Sequence, residues 1–295
     1  MSMKVWRPLD KTDTNLFLYH YTTMEKAYNI LCTNELWFSN ITNTNDIFEQ
    51  KAKISFLNLK KNDMTKEEYN DLTTKINYVR EYMNKLHLRV KLLCFSRDWD
   101  FKTNKERKAY ETLQQSLSIE QRAVNVIGRG FSLPRMWAQY ASDNKGVCFV
   151  FNKNKILEKV RNSGHSFMFG NVVYNNLYKP YSISPFEFNS TYELITKKFE
   201  DSLSIMIHNK NKYLWYDLFN KLSDWSSENE FRIILTNNCG EGVVKIRNIG
   251  ETIEGIVFGA RTDTVNEKII CWLGQQYDVR KLVYEDIITK IVSEK

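Results

Sequence analysis

The 295-residue sequence has few of the residues that interrupt folded structure, with only eleven glycines and four prolines. Disordered segments are rich in such residues and poor in aromatic ones, whereas this chain is 14% aromatic. Its apolar fraction of 42% and charged fraction of 26% are ordinary for a globular protein. The sequence therefore predicts a folded chain with a sizeable core and no long disordered linker.

Paired metal-ligand motifs are absent as well. No two of the five cysteines have CxxC spacing, and the four histidines are scattered along the chain. We therefore expect no metal site. The odd number of distant cysteines is typical of reduced thiols, which predicts a cytoplasmic protein. No uninterrupted apolar run has the length of a membrane-spanning helix, so we expect no membrane partner.

Three motifs of well-known enzyme classes are also missing. The chain has no G-x-G-x-x-G dinucleotide fingerprint, no P-loop lysine motif and no G-x-S-x-G nucleophile elbow. Its net charge of +7 is compatible with a polyanionic partner such as nucleic acid. The densest run of basic residues, 51–91, is interrupted by acidic ones, which is equally typical of a solvated helical face.

Strand patterns lie near both ends of the chain, with helical patterns between them. Apolar and aromatic runs predict strands at 16–21, 36–39, 91–96, 147–151, 172–174, 231–235, 242–246, 253–258 and 280–284. Helical spacing predicts helices at about 65–87, 133–141, 156–160, 188–222 and 265–273. This order predicts a single α+β domain over residues 1–295, with helical insertions near 47–89, 97–133 and 188–222.

Two helix starts carry capping signals. Thr22-x-x-Glu25 and Thr65-x-x-Glu68 both have the spacing of a capping box. Apolar residues follow Thr65 three and four positions apart, a pattern typical of a helix face packed on a core. We expect this face to pack within the molecule, with a partner-protein surface as the alternative.

His20 is the first candidate for chemistry, because it stands at the exit of an apolar strand pattern. One interpretation is a histidine whose hydrogen bonds are satisfied at a strand end. The other is a neutral imidazole that bonds a ligand hydroxyl. The neighbouring Tyr21 and Thr22 offer a ring face and a hydroxyl group to the same ligand.

Glu228 and Glu230 are the second candidates. In a strand, residues two apart point to the same face, so Glu-x-Glu predicts two carboxylates side by side. They are either exposed acids, one of them paired with Arg232, or groups that stabilise positive charge at an anomeric carbon. A sugar-nucleotide site built from His20 and this pair requires the stretches 18–23 and 225–232 to meet in space.

Trp137 and Tyr140 are the third candidates. They lie three positions apart on a predicted helix and therefore share a face. Packing in the core is one interpretation of this face. Stacking on a flat heterocycle is the other.

Several short motifs together resemble a bacterial family of unknown function. In chain order they are Tyr19-His20-Tyr21-Thr22, Leu36-Trp37-Phe38-Ser39-Asn40 with Asn45-Asp46 and Glu49, Cys94-Phe95-Ser96, Met136-Trp137-x-x-Tyr140-Ala141 with Gly146, and Glu228-x-Glu230-Phe231-Arg232-Ile233. That family is similar to a remote branch of the ADP-ribosyltransferase superfamily. The strand–His–x–Thr–helix start resembles the NAD-holding start of the PARP-like and RNA 2′-phosphotransferase branches. Tyr21 stands where those branches usually have glycine.

The resemblance implies a split antiparallel sheet that holds NAD in its cleft. His20 would bond the adenosine ribose, and Tyr140 or Tyr21 would stack on nicotinamide. Glu230 would bond the nicotinamide ribose and stabilise an oxocarbenium ion, while Glu228 would help to choose the acceptor. The same resemblance adds further NAD-binding residues: Thr22, Ser39, Asn40, Trp137 and Arg232.

The resemblance thus predicts an NAD-dependent ADP-ribosyltransferase that modifies a macromolecule. The basic charge is compatible with an RNA or DNA acceptor, whose phosphates attract cations independently of sequence. Bacterial members of the superfamily include toxins and phage-defence effectors, so an antitoxin or inhibitor protein is an expected partner. An NAD glycohydrolase, in which water replaces the acceptor, uses the same residues. A non-catalytic module that binds nucleic acid or protein is the remaining alternative.

Overall fold

The structure is a computed structural model that describes residues 16–50, 54–56, 65–99, 103–117, 126–176, 181–183, 214–215, 217–236, 242–285 and 288–293. Its strands are β1 (Phe17–Thr22), β2 (Glu35–Asn40), β3 (Ile54–Phe56), β4 (Lys91–Ser96), β5 (Val147–Asn152), β6 (Phe167–Asn171), β7 (Val173–Asn175), β8 (Tyr181–Ile183), β9 (Asn220–Leu222), β10 (Glu230–Leu235), β11 (Val244–Arg247), β12 (Ile253–Phe258), β13 (Asp278–Glu285) and β14 (Ile288–Ser293). Its α-helices are α1 (Met24–Thr33), α2 (Lys66–Arg89), α3 (Asn104–Ser116), α4 (Pro134–Tyr140), α5 (Lys153–Asn162) and α6 (Thr264–Leu273). The fold class is α+β, as the sequence predicts.

One mixed sheet organises the described part of the chain. Its main strand order is β11-β2-β4-β1-β5-β12-β13-β14, and β10 pairs with β4 and β6. The pairs in this sheet are antiparallel except for β12 with β13. Two parallel pairs, β3 with β8 and β7 with β9, lie outside it.

The sheet divides beside β4. On one side, β10 pairs with the whole of β4, from Ser96 to Lys91. On the other side, β2 pairs with Lys91 and Leu92 at one end, and β1 pairs with Ser96 at the other. β1 and β2 therefore diverge from one another and leave an opening alongside the middle of β4.

Apolar side chains pack on both faces of the sheet, because alternate strand residues point to opposite faces. Leu18 of β1 packs in one cluster with Phe151, whereas Tyr19 packs in another with Val150. α1, α5 and α6 contribute to the first cluster and α4 to the second, while α2 packs in a third against the β4–β10 side. Full burial of a side chain such as Leu, Ile, Val or Phe in these clusters contributes about 1.5–3 kcal/mol. Of the described helices, none combines the length and apolar character needed to cross a bilayer.

The capping predictions have different outcomes. Thr65 and Glu68 form the predicted capping box. The Glu68 amide donates a 3.2 Å hydrogen bond to the Thr65 hydroxyl, and the Thr65 amide donates a 2.7 Å hydrogen bond to the Glu68 carboxylate. The prediction that Thr22 caps α1 is wrong, because the cap is Thr23. Thr22 pairs with Val147 as the last residue of β1, so its backbone remains in the ladder.

The predicted insertions contain more than helices. The 47–89 region begins with a 3-10 turn, Ile47–Gln50, and contains β3 before α2. The 97–133 region contains α3. Most of the predicted helical segment 188–222, namely 188–213 and 216, lies outside the described residues. The last three residues of this segment form β9, which pairs with β7, so the prediction of a helix is wrong there. β6 was also missed, since Gly170 interrupts its apolar pattern, and the glycine packs closely against Trp215.

Candidate functional site

A pocket of about 320 Å³ lies where β1 and β2 separate, with β4 as part of its wall. This volume is within the range of small-molecule sites. Nine of the ten predicted site residues line it: His20, Tyr21 and Thr22 from β1, Ser39 and Asn40 from β2, Tyr140 from α4, and Glu228, Glu230 and Arg232 at the start of β10. The two distant stretches of the sequence therefore meet, as the hypothesis requires.

β4 connects the two stretches. His20 Nδ1 lies 3.0 Å from the carbonyl oxygen of Cys94, and Cys94 stands opposite Arg232 in the β4–β10 ladder. A carbonyl only accepts hydrogen bonds, so Nδ1 of His20 carries the proton. Burial lowers the pKa of His20, although its bond to Cys94 opposes this effect. The ring is therefore neutral, and Nε2 is the nitrogen that accepts a hydrogen bond.

Lys221 joins the two predicted acids. Its Nζ lies 2.8 Å from Oε2 of Glu228 and 3.3 Å from Oε2 of Glu230. The Lys221 side chain is only 4% exposed, so its charge is compensated inside the protein. Burial opposes the charge of Lys221, but Glu230 and Glu49 raise its pKa, so the side chain stays cationic.

Arg232 and Glu49 complete this ionic cluster. The Arg232 guanidinium binds Glu230 through Nε at 2.8 Å and Nη2 at 2.9 Å, and its Nη1 donates to the Leu218 carbonyl at 2.6 Å. Glu49 lies 2.6 Å from Arg232 Nη2 and 3.6 Å from Lys221 Nζ. Three carboxylates thus surround two cations. Arg232 therefore pairs with Glu230, as one interpretation of the sequence has it, but the two acids are buried rather than exposed.

The environment separates the pKa values of the two acids. Burial opposes the ionisation of Glu230, but the charges of Arg232 and Lys221 lower its pKa to about 2. Burial and the charge of Glu230 raise the pKa of Glu228, and Lys221 offsets only part of this rise. Such a separation is typical of paired carboxyl groups with different roles. Glu230 is a permanent anion, and Glu228 is the group able to exchange a proton.

Two tyrosines contact the acidic pair. Tyr140 donates a 2.7 Å hydrogen bond to Oε1 of Glu228, and the Glu230 amide donates a 2.9 Å bond to the hydroxyl of Tyr174. Burial and the adjacent Glu228 raise the pKa of Tyr140, so its hydroxyl remains a donor. Tyr140, predicted to stack on a ligand ring, thus also orients a carboxylate.

The same-face argument for Glu228 and Glu230 is wrong, although the two carboxylates converge. Glu228 ends a 3-10 turn, Ser223–Glu228, and only Glu230 belongs to the strand. Between them, Asn229 has a φ of 44°, in the left-handed region. The strand period of two therefore does not apply across this pair, and tertiary contacts bring both side chains to Lys221.

The structure places Trp137 in the core. Its side chain is fully buried, and its indole Nε1 donates a 2.8 Å hydrogen bond to the Phe131 carbonyl. The ring of Tyr21 packs edge-on against it, with centroids 5.0 Å apart. The Tyr21 hydroxyl donates a 2.7 Å hydrogen bond to the Gly130 carbonyl, which lies in the loop before α4. Trp137 is therefore not placed to stack on a ligand ring, whereas Tyr21 and Tyr140 both line the pocket and remain the two candidates.

The other β1 and β2 predictions lie at the pocket wall. Thr22 is 3% exposed, and Ser39 and Asn40 are partly exposed. The Asn40 side chain accepts a hydrogen bond from the buried Lys91. Ser96 at the end of β4 also lines the pocket, and its buried Oγ has no hydrogen-bond partner among the described residues.

Sequence reasoning did not predict that Lys221 and Glu49 belong to this ionic cluster. Lys221 falls in a stretch predicted to be helical, and no motif drew attention to it. Glu49 belongs to the ordered motif set, which is the signal that could have identified it. Within the described residues, no group of three or more His, Cys, Asp or Glu side chains is arranged to hold a metal ion. The cations Lys221 and Arg232 stand among the three carboxylates instead.

Residues 136–233 match a family model described as "Protein of unknown function (DUF2971)". The match includes Tyr140, Lys221 and the Glu228–Arg232 segment, while His20 lies before it. No curated protein and no solved structure matches the chain. A DUF2971 domain, whose function is unknown, is therefore present at 136–233.

Proposed function

We propose that this protein is an NAD-dependent ADP-ribosyltransferase with a macromolecular acceptor. The observation that carries the proposal is the convergence of His20 and the Glu228–Glu230 pair on one pocket, at the divergence of β1 and β2. The proposed reaction uses three groups of this pocket: the neutral imidazole of His20, the permanent carboxylate of Glu230, and the Glu228 carboxyl group, whose pKa is raised. The opening in the sheet supports the cleft that the family resemblance implies.

We assign hydrogen bonding to NAD to His20 and Ser96. The Nε2 atom of neutral His20 accepts a hydrogen bond from a ribose hydroxyl of NAD. Ser96 Oγ, which has no partner in the described part of the chain, supplies a further polar contact within the pocket. A buried hydroxyl without a partner is costly in a folded protein, and a bound ligand removes that cost.

The bond that breaks joins nicotinamide to C1′ of its ribose. Both electrons leave with nicotinamide, whose ring becomes neutral, and positive charge develops at C1′. The Glu230 carboxylate stabilises this charge, because a fixed anion in a buried site interacts strongly with a developing cation. Its pKa of about 2 keeps it ionised at every physiological pH.

The bond that forms joins C1′ to an oxygen or nitrogen of the acceptor. The acceptor loses a proton as it attacks, and the Glu228 carboxylate takes this proton. A general base works best when its pKa approaches the working pH, and burial together with Glu230 raises the pKa of Glu228 in that direction. Tyr140 orients Glu228 for this step.

The net charge of +7 is compatible with RNA or DNA as the acceptor. A toxin or phage-defence effector that modifies nucleic acid fits this chemistry. An antitoxin or inhibitor protein that keeps such an enzyme silent belongs to the same proposal. The cell compartment that supplies NAD and nucleic acid in bacteria is the cytoplasm.

The test is release of nicotinamide from NAD that carries a label in its ADP-ribose part, with bacterial RNA, DNA and protein as acceptors. We expect wild-type protein to release nicotinamide and to label a macromolecule. Glu230→Gln should abolish release, whereas Glu254→Gln, which removes an acid paired with Lys155 outside the pocket, should not. Label found only as free ADP-ribose would identify a glycohydrolase. No release, together with steep salt-dependent nucleic-acid binding, would identify a binding module.

A further inference from the structure

Asn229 separates the two acids and has an unusual backbone. Its φ of 44° and ψ of 53° lie in the left-handed region, which asparagine tolerates better than most residues. It is the point at which the chain leaves the 3-10 turn that ends at Glu228 and enters β10 at Glu230. Asn229 itself does not line the pocket.

The side chain of Asn229 is bound to the segment that follows β4. Its Nδ2 donates to the carbonyl oxygens of Arg97 at 3.0 Å and Asp98 at 2.7 Å. Its Oδ1 accepts a 2.8 Å bond from Arg97 Nη2. The backbone adds a 3.0 Å bond from the Arg97 amide to the Asn229 carbonyl. Both ends of the amide side chain and the adjacent backbone are thus held by two consecutive residues.

The Arg97–Asp98 segment is itself held in place. Asp98 accepts a 2.9 Å bond from Arg129 and a 2.8 Å bond from the Gly130 amide. The Asp98 and Arg129 side chains are 2% and 4% exposed, so this ion pair is sheltered from water. Asn229 is therefore attached to a fixed part of the core rather than to a surface loop.

We infer that Asn229 is a positioning residue, whose left-handed backbone and bonds to Arg97 and Asp98 direct the Glu228 and Glu230 carboxylates into the same pocket. With an ordinary negative φ at Asn229, the chain on one side of it would point elsewhere. Glu228 would then separate from Lys221 and Tyr140. This inference rests on the proposed function, because positioning of the acids matters for transfer of ADP-ribose.

The test compares Asn229→Gly with Asn34→Gly. Glycine keeps the left-handed backbone available and removes the side-chain bonds in both variants. Asn34 is a matched control: its φ is 55°, its Oδ1 accepts a 2.7 Å bond from the Gly250 amide, and it does not line the pocket. A second variant, Asn229→Asp, keeps an acceptor for Arg97 but cannot donate to the two carbonyls.

Two measurements are made on each variant. The first is kcat and KM for nicotinamide release from NAD. The second is NMR titration of the labelled Glu228 carboxyl group, which requires no activity. We expect Asn229→Gly to lower kcat about 10- to 100-fold with little change in KM, because displaced catalytic groups cost rate rather than ground-state binding. The Glu228 titration should shift in both Asn229 variants and remain unchanged in Asn34→Gly.

An unchanged kcat and an unchanged Glu228 titration in Asn229→Gly would overturn the inference. Equal losses in Asn34→Gly would do the same, because they would reflect general destabilisation. If wild-type protein releases no nicotinamide, the proposed function fails. The NMR titration then still decides whether Asn229 positions the acidic pair.

Discussion

The hydroxyl of Tyr140 donates a 2.7 Å hydrogen bond to Oε1 of Glu228, which lies 88 residues further along the chain. Burial and the charge of Glu230 raise the pKa of Glu228, whereas Lys221 and this hydrogen bond lower it. The bond thus favours the carboxylate form, which is the form that the proposed transfer requires. It links the last residue of α4 to the last residue of the turn before β10.

Tyr140→Phe should move the acid limb of the pH–rate profile to higher pH. The variant removes a donor that stabilises ionised Glu228, so the pKa of Glu228 rises further. Because transfer needs the carboxylate, the limb shifts upward by up to about one pH unit. The measurement is kcat for ADP-ribose transfer against pH. Tyr78→Phe, an exposed tyrosine on α2, serves as the control, and an unmoved limb in Tyr140→Phe would contradict the role of this bond.

Glu230→Gln should change how stability depends on pH. The pKa of Glu230 is about 2 in the folded protein and about 4.3 in an unfolded chain, so its stabilisation is present above the second value. That stabilisation is lost as the pH falls from about 4.3 through 2. The free energy of unfolding of wild-type protein should therefore exceed that of the Glu230→Gln variant by the largest amount at pH 5 and above. The difference should shrink by roughly 3 kcal/mol towards pH 2.

The measurement is urea denaturation of wild type and Glu230→Gln at several pH values. Glu228 has a raised pKa, and part of that rise comes from the charge of Glu230, so Glu230→Gln also changes the contribution of Glu228. The difference between the two curves therefore reports the Glu230 charge together with its effect on Glu228. A difference that stays constant with pH would show that the Glu230 pKa is not lowered.

Ser96→Ala should weaken NAD binding without loss of stability, whereas Ser132→Ala should lower stability without weakening NAD binding. Ser96 Oγ has no partner in the part of the chain that the structure describes, so its removal should not lower the free energy of unfolding. Ser132 Oγ donates to the carbonyls of Val126 and Arg129, and its removal should cost about 1 kcal/mol. Calorimetric titration with NAD should show the reverse, with affinity reduced about tenfold in Ser96→Ala only. Unchanged NAD affinity in Ser96→Ala would remove the hydroxyl from the binding site.

Glu49→Gln should destabilise the protein far more than a surface substitution. Glu49 is 1% exposed and contacts both Arg232 and Lys221, so the variant leaves two buried cations with one carboxylate fewer. Glu228 and Glu230 still compensate the two cations, so the cost is that of one lost buried charged contact, about 1.5–3 kcal/mol. Glu254→Gln, whose partner Lys155 is half exposed, should cost less than about 1 kcal/mol. Chemical denaturation at pH 7 compares the two, and equal costs would contradict the importance of Glu49.

Local patterns predicted several elements closely. β4 and β12 have the predicted bounds, because each contains a short apolar run that is buried in the sheet, 92–95 in β4 and 256–258 in β12. The capping box at Thr65 marked the start of α2, since the bonds that form it lie within one turn of chain. By contrast, β9 was predicted as helix. Its pairing with β7 depends on residues 45 or more positions away, which no local pattern records.

The same distinction applies to the site. The sequence alone singled out His20 and the Glu228–Glu230 pair, because a histidine at a strand end and two nearby acids are local features. It did not identify Lys221 and Glu49 as their partners. Contacts of Glu49 with Arg232 and of Lys221 with Glu230 form only when the 3-10 turn Ile47–Gln50, β9 and β10 come together.

The sequence by itself determined the α+β class, the strands that carry the candidate residues, and the chemical types available to the pocket. These properties depend on side-chain size, polarity and periodicity over a few residues. Only the tertiary structure decided that the two acids have different pKa values, that Trp137 lies in the core, and that Tyr140 orients Glu228. These properties depend on burial and on charges brought within a few ångströms by strands and helices distant in the chain.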